Sequence, residues 1–564
     1  MANPGRERGY ILIVVPIVLV GIFMLTYQAI SRSKTAMKIA GSDLNYLQTR
    51  MCAQQCAALA VNATNRSLEE KNLVFSGTLT CPCNEGKAKL QMTCVTTLGK
   101  PVYADTVNCY GVQSALAAVD LNVKCKDGAN REVELKENVV FEDIPVFQFA
   151  AFFDMTLEIN PGPPMNIDGR IHSNDTLNIF PETLLVVNDW VTSAKMIGTR
   201  IHHDSMPSAI GLPLMDGSGA DKPFNATSVT FEPLKAHFLD WPAWLSAHRV
   251  AYATESPGCG TVSKLSLPMR NMDSPRELIE WRKPGDSYQV QRQKFAWRAN
   301  LIYHQGQWLD NQLKPVAIID PMQGTPPKPM LPGSSSPRMT FWDEKEQIMV
   351  DLLPVDMARL QQRAGDSVVY MHDSRIDPAQ QNREVGGFLL YNGGKLLRPL
   401  TVATNGRLYV WGDYNVNPAY NQGGGKMGPF PAALICDAIT LLSNTWTPTD
   451  WPYLGGPSKY VKAGATTLNV CIMRGKKFGS GYHNTISIVE NWADVPLRYT
   501  GSTVNMWPSG LKEFSGTKVL MGIHRFPPIR AWAFDPMYKN VKNMPPATPR
   551  VVNPNLNTWE LNRE

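Results

Sequence analysis

Three groups of side chains have types and spacings that could do chemistry. Asp168, His172 and Asp175 lie close together in MNIDGRIHSNDTLNI. Two carboxylates flanking an imidazole can hold a metal ion or move a proton. The same residues at turns between strands accept backbone hydrogen bonds, and that structural role is the one expected here. His202, His203 and Asp204 form a second possible metal cluster, in a stretch of Met, Pro and Gly that reads as a loop. The third group is the cysteines. Seven of the ten fall between Cys52 and Cys125: Cys52, Cys56, Cys81, Cys83, Cys94, Cys109 and Cys125. Such a cluster suits an oxidising compartment and a set of disulfides. A zinc site is the alternative, but the spacing fits no common zinc pattern. Cys52 and Cys56 are one helical turn apart and share a face. They are expected to pair outward, to Cys81, Cys83, Cys94 or Cys109, rather than with each other.

The remaining candidates read as structure. Trp411, Trp446, Trp492, Trp507 and Trp532 could form a carbohydrate platform, but they follow no regular period and lie beside apolar runs, which points to packing. Arg474, Lys476 and Lys477 in MRGKKFGSGYHN read as a small solvated basic loop. NPAYNQGGGKMGPF is Gly-rich without the strand and helix of a phosphate cradle, and reads as a flexible turn. Cys436, inside PAALICDAITLL, reads as a small buried apolar residue. The chain holds no H-E-x-x-H, G-x-S-x-G, Walker lysine or dinucleotide fingerprint. No catalytic residue, cofactor or metal ion is expected. Basic and acidic residues number 55 and 49, interspersed, for a net charge of +6. That balance gives no electrostatic footprint for a nucleic-acid partner.

The elements that would position these residues begin with a membrane-length run. No charged residue occurs from Gly9 to Ser31, and Tyr10–Tyr27 is almost wholly apolar. With its flanks this approaches the ~20 residues that cross a bilayer as a helix. Arg6 and Arg8 precede it, which favours a cytoplasmic amino terminus; the alternative is a cleaved secretory signal. Met37, Ala40, Leu44, Leu47 and Met51 then recur at steps of three and four, one stripe on a continuing helix. Beyond it, short β-type runs such as NLVFSGTLT, KLQMTCVTT and REVELKENVVF alternate with turns and predict a small antiparallel sheet on the end of the helix. The 564 residues exceed one ordinary core, and 42 Gly with 43 Pro favour a β-rich body.

RERGYILIVVPIVLV resembles a prepilin leader: a short basic stretch, a glycine, then an apolar helix. Further along, PGPPMNIDGRIHSNDTLNI, TVATNGRLYVWGDYN with PAALICDAITLLSNTW, ENWADVPLRYTGSTVNMWPSG and FPPIRAWAFDPMY together resemble the exported domain of large PilX-type minor pilins of type IV pilus systems. The resemblance implies processing between Gly9 and Tyr10 by a prepilin peptidase. It implies a single-pass inner-membrane stage with an extracytoplasmic head, and later residence in a pilus at the cell surface among other pilins and assembly subunits. Most major pilins carry Glu at the fifth mature position; here it is Val14, a departure shared with the PilX-type minor pilins and with the analogous large minor pseudopilins of type II secretion. The expected fold is α+β and mostly β. A leader (1–9) precedes a transmembrane and amphipathic helix (10–63), a small Cys-rich β domain (64–144) and a large β-rich domain (145–564). The last reads as a β-solenoid or right-handed β-helix with long insertions at roughly 185–380; a β-sandwich is the runner-up. A structural or assembly subunit is expected. The alternatives are a pilin-anchored adhesin for a surface ligand and a β-helix polysaccharide-active enzyme. Mass spectrometry of protein from the native host is expected to find Tyr10 as the mature amino terminus; an end near residue 30 or beyond would mean an ordinary secretory signal.

Overall fold

The computed structural model describes residues 8–69, 78–82, 93–98, 102–108, 111–126, 132–159, 165–179, 185–198, 229–231, 250–252, 262–267, 272–324, 339–343, 348–376, 384–446, 462–476, 485–509 and 528–563, apart from isolated positions in these ranges. Strand dominates after one long helix. The chain divides into two compact units: residues 1–103, 117–141 and 554–564 form one, and residues 104–116 and 142–553 the other.

In the first unit the apolar run and the segment after it fold as a single helix, Arg8–Glu69, with Pro16 near its start. A proline inside a helix removes one backbone hydrogen bond without ending it here. A six-stranded sheet follows, in the order Thr78–Pro82, Thr93–Leu98, Gln113–Lys126, Glu132–Pro145, Arg550–Arg563, with Val102–Val107 against Gln113–Lys126. The first three pair antiparallel, and their register aligns Cys81, Cys94 and Cys125 in one row. Val123, Cys125 and Leu135 pack with Cys52, Ala53, Cys56 and Ala57 of the helix.

The larger unit is built on an eleven-stranded sheet. Ala151–Phe153 pairs in parallel with Ile171–Ser173, which pairs in parallel with Val191–Ser193. The same step relates Leu157 to Leu177 and Ile197, and Met165 to Leu185. Side chains repeat it: His172 meets Thr192 and Asn188 meets Asp168, each 20 residues away. Three short strands therefore recur every 20 residues, one in each of three sheets. The expected insertion at roughly 185–380 is corrected on this point. Leu185–Val187, Val191–Ser193, Leu301–His304, Ile348–Asp356 and Val368–Met371 inside it are sheet strands.

The strand order is not the chain order. From Ala151–Phe153 the chain advances outward along the sheet to Val250–Tyr252. It then reappears at the opposite end, at Leu301–His304, and returns through Val368–Met371, Leu400–Thr404, Ala432–Cys436 and Cys471–Lys476 to Thr503–Pro508. That last strand pairs in parallel with the first: Thr503 aligns with Ala151, Val504 with Phe152 and Asn505 with Phe153. Val146 N also donates to Pro549 O (3.0 Å), so the chain enters and leaves this unit at neighbouring points.

Nine strand steps of about 4.8 Å separate Val250–Tyr252 from Leu301–His304, on the order of 40 Å. The described residues between them, within 262–300, run along the sheet as a strap. Leu265 exchanges both backbone hydrogen bonds with the Asn174 amide (2.8 and 2.5 Å). Arg276 lies 3.5 Å from Asp437, the Ile279 carbonyl accepts from Tyr370 (2.7 Å), and Trp281 reaches His304. The strap is pinned by Lys294, wholly buried, whose ammonium sits 2.5 Å from Asp286. Removing one partner of such a pair costs about 3–5 kcal/mol. Leu278, Ile279, Phe295, Ala296 and Ala299 join the apolar core beneath. The strand Ala432–Cys436 of this sheet is buried along its whole length and reads as an unbroken apolar run, AALIC, rather than as an alternating one.

Gly501 precedes the strand Thr503–Pro508, and a Cβ there would overlap the carbonyl of Val470, the residue just before the strand Cys471–Lys476. Gly501→Ala is therefore expected to lower the stability of this unit by about 1–3 kcal/mol, read as a shift of the urea transition to lower concentration.

Candidate functional site

The helix carries two opposed faces. Thr49, Cys52, Ala53, Cys56, Ala57 and Ala60 are buried, at alternating steps of three and one. At 3.6 residues per turn, Met37, Ala40, Leu44, Leu47 and Met51 lie half a turn away, and all are exposed. The packed face uses small residues, which let a sheet approach closely; the larger apolar stripe picked out by periodicity stays uncovered. Nearer the amino terminus exposure is all round: Phe23 is 74% exposed and Leu25 68%. Each such side chain left in water forgoes about 1.5–3 kcal/mol of burial. Among the described residues one helix is long and apolar enough to cross a membrane. Gly9, Tyr10 and Val14 lie in its first turns.

The cysteines converge beneath the small-residue face. The sulfurs of Cys52, Cys56 and Cys125 lie within 4.8 Å of one another, all three buried. Cys52 and Cys125 are each disulfide-bonded. Cys81 and Cys94 occupy adjacent strands in register with Cys125. Cys83 and Cys109 lie outside the described residues, as do His202, His203 and Asp204. Cys436 and Cys471 are free buried thiols, and burial pushes both well up from the ordinary thiol range. They are small core residues, not nucleophiles.

Asp168, His172 and Asp175 do not form a common centre. Asp168 accepts from Asn188. Asp175 pairs with Lys195 (2.9 Å) and accepts from the Thr176 backbone (2.7 Å). His172 is buried and stacked on Phe152 at 5.3 Å. Its Nε2 faces Asn174 Oδ1 and its Nδ1 faces Thr192 Oγ1, both at 2.9 Å. Leu265 N–H donates to Asn174 Oδ1, which fixes that oxygen as an acceptor. Nε2 therefore carries the proton, and the Thr192 hydroxyl, which donates to the Ile171 carbonyl (3.0 Å), lies 2.9 Å from Nδ1. The ring is neutral, and burial depresses its pKa to about 4.

Trp411, Trp446, Trp492, Trp507 and Trp532 are all buried, Trp492 and Trp507 completely and Trp532 at 6% exposure. They pack the core and offer no ligand platform. The basic-loop reading of Arg474 is corrected. It lies in the strand Cys471–Lys476, 1% exposed, with its guanidinium donating to the Thr485 carbonyl and to Asn505 Oδ1. The glycine-rich stretch is a tight two-stranded turn with Gly423 and Gly425 at positive φ.

One arrangement escaped the sequence reading. His304 and His372 end adjacent parallel strands, and their Nδ1 atoms face each other at 2.9 Å. Trp281 stacks on His304 at 3.8 Å and 5°. Burial lowers both imidazoles, and the neighbouring ring adds to the effect on His372, which falls to about 4. Both rings follow a short apolar run, LIYH and VVYMH, but 68 residues part them, so only the strand register brings them together.

In the comparisons with known proteins, no family model matches the chain, and neither does a curated protein or a solved structure.

His172 binds fewer protons folded than unfolded, since its folded pKa lies below the ordinary value of 6.5. Its contribution to stability is complete above pH 6.5 and is lost as the pH falls from 6.5 towards 4, on the order of 3 kcal/mol for a fully buried ring. Urea titrations at several pH values are expected to show this slope, and His172→Gln to reduce the slope whatever its effect on stability at pH 8.

Proposed function

We propose that the chain is a non-enzymatic, membrane-anchored subunit of a type IV pilus or related pseudopilus, of the PilX-type minor pilin plan. The observation that carries the reading is the helix. It is exposed on every side from Pro16 to Ile39, and it continues without a break into a segment whose small-residue face packs under a sheet. One half suits lipid, or the core of a filament; the other supports a head. The exposed stripe Met37–Met51 is the face that would meet the helices of other subunits.

On this reading the prepilin peptidase processes the chain between Gly9 and Tyr10. The helix then holds it in the inner membrane with its head outside until assembly carries it to the cell surface. The head is a three-faced parallel β-solenoid, a right-handed β-helix, in which each 20-residue coil stacks its apolar side on the next. Disulfides at Cys52 and Cys125 agree with an oxidising compartment. The non-enzymatic reading is supported by the internal pairing of Asp168, His172 and Asp175. Burial of the tryptophans weighs against the carbohydrate-platform form of the adhesin alternative.

Val14 cannot supply the carboxylate that, in major pilins, pairs with the terminal amine of a neighbouring subunit. A subunit lacking it fits best where nothing lies above it, and a head of this size would crowd a packed shaft. Quantitative proteomics of filaments purified from the native host is expected to find the protein at low copy number relative to the major subunit. Near-equal stoichiometry would make it a shaft subunit, and absence from the filaments would overturn the pilin reading.

A further inference from the structure

We propose that His304 and His372 form a two-histidine site for a divalent late transition-metal ion, copper(II) or nickel(II), at the strand ends beside Trp281. The two rings belong to neighbouring parallel strands whose register is held by His372 N donating to Tyr303 O (2.9 Å). The Nδ1 atoms stand 2.9 Å apart, with ring centroids at 4.9 Å. Among the described residues neither ring has another hydrogen-bonding partner. Both rings are only half-buried, so an ion and its remaining water ligands can approach from solvent.

The separation selects the metal. Two nitrogens bound to one ion at about 2.0–2.1 Å and 2.9 Å apart subtend roughly 90° at the ion. That is the cis angle of a square-planar or tetragonal site, which suits copper(II) and nickel(II). A tetrahedral zinc ion at the same bond length would need its nitrogens roughly 3.3 Å apart. The surroundings hold the donors in place. Trp281 lies nearly parallel to His304 at 3.8 Å and stacks on His372 at 5.0 Å, which restricts rotation of both rings. The nearest acid in the chain, Asp373, is committed to Arg375 through both carboxylate oxygens (2.8 and 2.6 Å). The imidazoles are therefore the donors, and Trp281 is a built-in reporter.

The test is a titration of the full-length protein in detergent micelles with copper(II) chloride, followed by calorimetry and by electron paramagnetic resonance of the frozen samples. The expected result is one equivalent whose spectrum carries coupling to two imidazole nitrogens, and quenching of Trp281 fluorescence that disappears in Trp281→Phe. His304→Gln and His372→Gln should each weaken that equivalent at least tenfold, with unchanged circular dichroism and melting. His203→Ala, which leaves both imidazoles of the pair in the chain, should keep it. Equal copper(II) binding by the unsubstituted chain and both glutamine variants would overturn the proposal and leave the pair as a hydrogen bond only. Should the glutamine variants fail to fold, the His203→Ala spectrum decides: a retained two-imidazole equivalent supports the site, and its loss refutes it.

Discussion

The larger unit depends on the pairing of its first strand with its last. Ala151–Phe153 and Thr503–Asn505 lie side by side in parallel register, Thr503 N donates to Ala150 O (2.9 Å), and Asp154 N donates to Asn505 O (2.8 Å). Either run of strands alone would end there in a row of unpaired backbone groups, an edge that soluble proteins cover or blunt. Joined, they make one file of parallel strands with a continuous apolar interior, and Phe152, Phe153, Val504 and Trp507 are buried at the join.

The rest follows from that seam. Because the two runs advance in the same direction and meet at the first strand, the chain must travel the length of the sheet once, and the strap is the segment that does so. Its route explains why the outer face of the sheet is covered, why Lys294 and Asp437 are buried charges with partners, and why Trp281 ends up against His304 and His372. The chain also enters and leaves at neighbouring points. The flanking strands Glu132–Pro145 and Arg550–Arg563 can therefore be neighbours in one six-stranded sheet despite lying some four hundred residues apart.

Much of this was legible in the sequence, and the parts that were not share a cause. The long helix was readable because an uncharged apolar run is a local property. Apolar runs such as RLYVW and AALIC were readable as strands for the same reason. The packed face of the helix was not, because hydrophobic periodicity ranks Met and Leu above the Ala and Cys that the sheet contacts. The 20-residue step was missed because its equivalents share shape rather than identity: Met165 with Leu185, Ile167 with Val187, Ile171 with Val191. Arg474 looked solvated beside Lys476 and Lys477, since composition does not reveal which way a strand residue points. Strand order and the His304–His372 contact depend on register between distant segments, which no local pattern carries.

The most direct measurement is amide hydrogen exchange of the full-length protein, read segment by segment by mass spectrometry. The account predicts that Ala151–Phe153 and Thr503–Pro508 are protected to the same degree as central strands such as Leu400–Thr404, and that they open with them in one cooperative step. Early exchange at both of these strands, with residues 151–198 opening independently of residues 400–508, would show that the seam does not hold the two runs together and would contradict it.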